Sequence, residues 1–524
     1  MRPINAILKR FKVNLSTTIN YGKYIAKIAP ILRKPPKTAK LILVTAISPT
    51  PAGEGKTTTS IGLNDGLNAI GKRSIVALRE PSMGPVFGVK GGANGGGAAQ
   101  IVPKDDINFH FTGDMHAITA ANNLIAACVD NHIYHGNELK IDPARIIWKR
   151  VLDMNDRSLR EVEITISSKK GLKYRSGFDI TVASEIMAIL CLATSEQDLR
   201  KRIDQIIVAY DQKNQPVYGK DLQITGALIK ILQYALFPNA VQSLAGNLAI
   251  VHGGPFANIA HGCNSYYATN TALNLAEYVV TEAGFGSDLG AEKFCDIVCD
   301  IGKFQPAAVV LVVSTRSLKM HGGLTKDELK KESLDALTKG LTNLAQHVKN
   351  LLAFNIPLIV SITQLDISLP VELQFVQNWL KKQKIAFALN DSYSKGAKGC
   401  ADLAKLVVQQ AKIKHQLKPV YRKTEPLSVK ISKICQRCYG ASGVEYTSDA
   451  LVKLKQYEKL PYYVCMAKTP ISITDDEKKL YVDQPFKIHV KDILIANGAQ
   501  FIIVMTGNIF RMPGLPKIPE ATKM

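Results

Sequence analysis

The segment Thr50-Pro51-Ala52-Gly53-Glu54-Gly55-Lys56-Thr57-Thr58 sets small residues before a lysine and two hydroxyls. This is the spacing of a phosphate-binding loop. Small residues let backbone N–H groups close around phosphate oxygens, and the start of a following helix adds partial positive charge. Lys56 then reaches the β- and γ-phosphates, and the Thr57 hydroxyl ligates the Mg²⁺ that accompanies them. Thr50 stands where the common form has its first glycine, so the loop is a variant of the pattern.

Arg79-Glu80 ends an apolar run. An arginine at the carboxyl end of such a run can hold a carboxylate or phosphate bidentately, or simply close a strand-end ion pair. Residues 84–97 carry Gly84, Gly88, Gly91, Gly92, Gly95, Gly96 and Gly97. Such density means close backbone approach to a ligand, a tight interface, or a surface loop. His110, His116, His132 and His135 gather around one helical pattern; polar capping or core packing explains most of them, with His110 and Asp114 best placed for site work. His252 to Gly262 and Arg316 to Gly323 are further polar loops after apolar runs. Cys435-x-x-Cys438 lacks a second half for a zinc site, and it and the Cys295/Cys299 pair read as structural.

The elements that must position these groups are legible in outline. Leu41 to Ile47 is a continuous apolar run, as a strand buried on both faces requires. A helix follows from Thr57 to about Ile70, closed by Gly71, then a strand from Ser74 to Arg79. Further strands are expected at Leu248–His252, Ala307–Ser314 and Pro357–Ile362, and a helix from about Thr112 to His132 with Thr112 or Asp114 as N-cap. The class is α/β with a mostly parallel sheet. Residues 1–40 read as an amphipathic helical lead-in, 415–428 as a linker, and 486–490, 493–496 and 501–505 as short strands of a C-terminal module.

The chain has 524 residues, 46% hydrophobic and 21% charged, the balance of a globular protein of several domains. No stretch approaches the roughly 20 apolar residues of a membrane span. No apolar run with a cleavage site opens the sequence, so a cytoplasmic protein with nine reduced thiols is expected. The net charge is +22, but the basic residues are scattered, which argues against a nucleic-acid partner.

With its motifs in this order, the chain resembles the formate–tetrahydrofolate ligase family over about Ile42 to Pro516. The resemblance rests on Pro49–Thr59, Arg79–Gly97, Asp106–His116, Val129–His132, Gly253–Gly262, Thr281–Lys293, Arg316–Gly323 and Met512–Pro516. It implies a P-loop-containing, mostly parallel sheet domain over 1–345. Two smaller α/β domains follow: 346–420, contributing to the folate and nucleotide cleft, and 421–524. The implied reaction joins formate, tetrahydrofolate and ATP into 10-formyltetrahydrofolate, ADP and phosphate through formyl phosphate. Implied partners and cofactors are those substrates, Mg²⁺ with ATP, an activating K⁺ or NH₄⁺, and a homotetramer. Thr50, Pro51, Ala52, Gly53, Glu54, Gly55, Lys56 and Thr57 would bind ATP; Lys56 would also stabilise the transferring phosphoryl group. Arg79 would hold formate and then formyl phosphate, with Glu80, Asp114, His110 and His116 near the reaction centre. Phe285 would line the folate region, flanked by Leu365 and Tyr393, where relatives carry other residues. Asn94 and Ala98 also depart from the family's glycine-rich segment. The alternative is an ATP-binding protein of this fold with reduced or lost folate turnover.

Overall fold

Ten strands form the backbone of the molecule: β1 (Thr18–Tyr21), β2 (Ile25–Ile28), β3 (Lys40–Ala46), β4 (Ser74–Leu78), β5 (Asn239–Ser243), β6 (Leu248–Val251), β7 (Tyr278–Glu282), β8 (Pro306–Val313), β9 (Leu358–Thr363) and β10 (Ala386–Asn390). This computed structural model describes every residue of the chain except Ala52, Gly91, Ser168, Lys169, Lys170, Asn508 and Met524, and the side chain of Lys90. The strands lie in the order β1-β2-β5-β6-β4-β7-β3-β8-β9-β10. From β6 to β10 every neighbouring pair is parallel. The β1–β2 hairpin and β5 extend the other edge in antiparallel fashion.

The central strands are apolar on both faces because both faces are covered. Leu41 and Leu43 of β3 join one core, and Ile42 and Val44 join the other. The helix Lys56–Ala69 covers the second face with Ile61, Leu63 and Leu67, helped by Leu403 and Val407 of the helix Ala401–Gln410. The helices Asp114–Tyr134, Tyr266–Leu275 and Leu334–Ala353 cover the first. Because the run is parallel, all seven carboxyl ends open on one edge, where ligands bind in open α/β sheets.

The C-terminal module carries a three-stranded sheet of Tyr463–Ala467, Phe501–Met505 and Asp492–Ala496, and a parallel pair of Gly443–Tyr446 with Lys487–Val490. Its Cys435, Tyr439 and Cys465 belong to the same core as β3, so its packing is continuous with the main body. Among the described residues no helix is long and apolar enough to cross a membrane.

Three expectations need correction. Within residues 1–40 only Ile4–Arg10 is an α-helix; the rest holds the hairpin β1–β2, turned at Gly22 with φ +70°. The helix Asp114–Tyr134 is capped by Gly113 at φ +92°, not by Thr112, whose hydroxyl instead donates to Asn239 Oδ1 at 2.8 Å. The segment 415–428 is not a loose linker: Val420 and Tyr421 are buried, and the Val420 N–H donates to Asp296 Oδ1 at 2.7 Å.

Candidate active site

The loop after β3 turns into the helix Lys56–Ala69 through Gly53 (φ +73°) and Gly55 (φ +74°), left-handed positions that glycine adopts without strain. Glu54 folds back, and its Oε1 accepts from the Thr50 N–H and hydroxyl, each at 2.8 Å. Through that oxygen the carboxylate braces the loop. Arg316, in the helix Thr315–His321 after β8, donates to the Gly53 carbonyl at 2.7 Å. The expectation for Ala52 lies outside the described residues.

Lys56 sits at the helix start, where burial lowers its pKa while the Glu282 and Glu54 carboxylates pull it back up. The Thr57 hydroxyl lies 3.0 and 3.2 Å from the two oxygens of Glu282, the last residue of β7. Glu282 was not singled out from sequence. Its signal was an acid ending the apolar strand Tyr278–Glu282, and its importance follows from β7 lying beside β3.

Arg79 leaves β4 one position away on the same edge. Its Nη1 would stand 3.0 Å from a Cβ on Gly284, so the absence of a side chain there makes room for the guanidinium. Its Nε is buried without a hydrogen-bond partner among the described residues. The Arg79 charge lies close enough to push down the pKa of both Lys56 and His261. His261 is fully buried, and neither ring nitrogen has a partner among the described residues. Burial, then the Lys293 and Arg79 charges, hold its pKa down to about 3, so the ring is neutral.

Glu80 and Asp114 do come together. Burial raises the Glu80 pKa well above the ordinary range, and the neighbouring Asp114 carboxylate raises it further. Asp114 is held on both oxygens: Lys27 Nζ donates to Oδ1 at 2.6 Å, and Asn239 Nδ2 donates to Oδ2 at 2.8 Å. Lys27 is fully buried and also donates to Asn239 Oδ1 at 2.9 Å and the Phe237 carbonyl at 3.1 Å. Nothing in the local sequence of β2 marks this lysine, since its partners come from distant segments.

His110 and His116 are exposed and stand outside this buried group. His252 is fully buried, with Nδ1 2.6 Å from Ser265 Oγ and Nε2 2.7 Å from the Ala235 carbonyl, so it fastens β6 to its surroundings. Phe285 is half-buried just past β7 with φ +59°, a conformation a bulky residue adopts only when its surroundings impose it. Leu365 is half-buried past β9, its N–H donating to Ser368 Oγ at 3.0 Å. Tyr393 is 54% exposed, and its ring lies over Gly96, where an added Cβ would come within 2.9 Å of Cε2. Its carbonyl accepts from the Ala98 N–H at 2.7 Å. Part of the glycine-rich segment is thus explained by packing: Gly84 and Gly88 admit Asn155, and Gly96 and Gly97 admit Tyr393.

A glycine-bearing loop running into a helix start, a carboxylate beside its threonine and an arginine whose Nε has no partner among the described residues share one edge of an α/β sheet, the edge at which ligands bind in such sheets. A sequence profile described as formate–tetrahydrofolate ligase matches residues 1–524. A curated formate–tetrahydrofolate ligase of Psychrobacter sp. (strain PRwf-1) is 50% identical over 543 residues, spanning 99% of this chain and 95% of that protein. The chain belongs to the formate–tetrahydrofolate ligase family, and its function is that ligation.

Proposed function

We propose that the ligation runs on the edge formed by the carboxyl ends of β3, β4 and β7, with ATP as the energy source. The observation that carries this reading is the convergence of Lys56, Arg79 and the Thr57–Glu282 pair there. Residues Thr50–Thr57 cradle the ATP phosphates, and Arg79 holds formate with one oxygen turned toward the γ-phosphorus. Formate attacks, the bond to ADP breaks, and formyl phosphate forms, with Lys56 and Arg79 neutralising charge on the transferring group. The folate amine then attacks the formyl carbon, phosphate leaves, and the amine loses its proton. Activation is needed because formate alone has no good leaving group. Phe285, Leu365 and Tyr393 border the folate side in this reading.

Thr57 and Glu282 offer a hydroxyl and a carboxylate, the hard oxygen donors that Mg²⁺ accepts, so the residues present fit the ion. Bound with the nucleotide, Mg²⁺ supplies charge neutralisation at the β- and γ-phosphates. Family membership supports activation by K⁺ or NH₄⁺ and a homotetramer, and the nine free thiols suit a cytoplasmic setting. The three-segment division 1–345, 346–420 and 421–524 is retained as a description of roles, with β9 and β10 of the second segment continuing the main sheet.

The test is 10-formyltetrahydrofolate formation from formate, tetrahydrofolate and MgATP with added K⁺, for the wild type and for Lys56→Ala and Arg79→Ala. Product with the wild type and little with either variant is the expected result. A folded wild type that binds ATP but forms no product would instead favour the alternative of lost folate turnover.

A further inference from the structure

The phosphate loop is held at its root as well as along its length. Ser48, two residues past β3, is fully buried. Its N–H donates to His347 Nε2 at 2.9 Å, and its carbonyl lies 2.8 Å from His321 Nε2. The two histidines come from different helices, Thr315–His321 and Leu334–Ala353. These helices approach closely because Gly340 lacks a Cβ that would collide with the Leu318 backbone. Both rings therefore aim at one peptide segment.

The Ser48 carbonyl can only accept, so His321 Nε2 carries the hydrogen given to it, and His321 Nδ1 lies 2.9 Å from Asn343 Nδ2 and 3.0 Å from the Leu480 carbonyl. His347 Nε2 accepts, so Nδ1 carries the hydrogen and donates to Ser287 Oγ at 2.8 Å. Burial holds the His347 pKa down to about 4, which keeps this acceptor available. The network then reaches the C-terminal module. Asn343 also donates to the Leu480 carbonyl at 2.5 Å, and Lys468 Nζ stands 3.1 Å from Oδ2 of Asp288, the neighbour of Ser287.

We propose that His321 and His347 are positioning residues that clamp the Ser48 backbone, fix the direction in which the chain enters the phosphate loop, and tie nucleotide affinity to the seating of residues 468–480. This rests on the phosphate-loop reading above. The clamp touches no reacting atom. It acts through the loop N–H groups, whose convergence depends on how the backbone leaves β3. Buried hydrogen bonds to a peptide group are costly to leave unmade, so the loop has one favoured exit as long as both rings are in place.

The experiment compares His347→Gln with His347→Asn, and His321→Gln with His321→Asn. Glutamine places an amide atom where Nε2 stood, whereas asparagine stops one methylene short. Each variant is assayed for the KM of MgATP, formate and tetrahydrofolate, for direct MgATP affinity by titration, and for its melting temperature. The Asn variants are expected to raise the MgATP KM on the order of tenfold, with the other two KM values unchanged and most of the loss recovered by Gln. Asn343→Leu, which leaves both histidines in place, is expected to give the same nucleotide-selective change. Unchanged MgATP affinity in folded Asn variants would overturn the proposal. So would a joint rise of all three KM values that Gln fails to recover. Lys56→Ala is the control: if it too leaves nucleotide affinity and turnover intact, the phosphate-loop reading itself has failed, which is a different outcome.

Discussion

The Thr57 hydroxyl and the Glu282 carboxylate, 225 residues apart in sequence, stand 3.0 Å apart at the ends of neighbouring structural units. Replacing Glu282 with Gln keeps the shape and removes the charge. Turnover should fall on the order of 100-fold, and the Mg²⁺ concentration for half-maximal rate should rise. A Mg²⁺ titration of product formation checks this; an unaltered Mg²⁺ dependence would remove Glu282 from the metal-nucleotide site.

Arg79 has an Nε without a partner among the described residues and a guanidinium that Gly284 leaves room for. Lysine keeps the positive charge but cannot present a planar fork to formate. Arg79→Lys should raise the formate KM on the order of tenfold or more while leaving the MgATP KM near its wild-type value. Equal shifts in both would point to a general role in folding the edge.

Lys27 and Asp114 form a fully buried pair at 2.6 Å. Lys27→Met strands the carboxylate and should cost about 3–5 kcal/mol in denaturant-induced unfolding. Adding Asp114→Asn to Lys27→Met should restore part of that loss, because the uncompensated charge disappears. Additive losses in the double variant would show that the pair contributes nothing as a pair.

Stability should respond to pH through groups whose folded values are displaced. Burial lowers the His252 pKa from 6.5 to about 4. The unfolded chain therefore binds more protons between those values, so its contribution is full above 6.5 and lost as pH falls through about 4. Glu185 has the opposite sign: burial raises it to about 7, although the N–H groups of Ala499 and Gly498 oppose the shift. Its contribution is full below 4.5 and lost as pH rises through about 7. Unfolding free energies at several pH values should show a shallower acid slope for His252→Gln. For Glu185→Gln the decline between pH 4.5 and 7 should be shallower. Parallel curves for variant and wild type would contradict these assignments.

What the sequence by itself determined is what neighbours along the chain decide. Leu41 to Ile47 reads as a buried parallel strand because both faces of such a strand are apolar. The phosphate loop is legible because strand, glycines, lysine and helix start follow one another directly, and Gly53 and Gly55 do adopt the left-handed backbone that only glycine takes easily. The order of motifs was enough to carry the family and its reaction.

The tertiary structure decided which side chains meet. Glu282 faces Thr57 because β7 pairs with β3, Lys27 reaches Asp114 because β2 pairs with β5, and His347 reaches Ser48 across 299 residues. It also turned Glu54 inward and left His110 and His116 on the surface. Local spacing carries no trace of these outcomes, because each depends on strand order and helix approach. Those are set by burying apolar faces over the whole molecule, and the polar groups at the strand ends are carried into contact as a result.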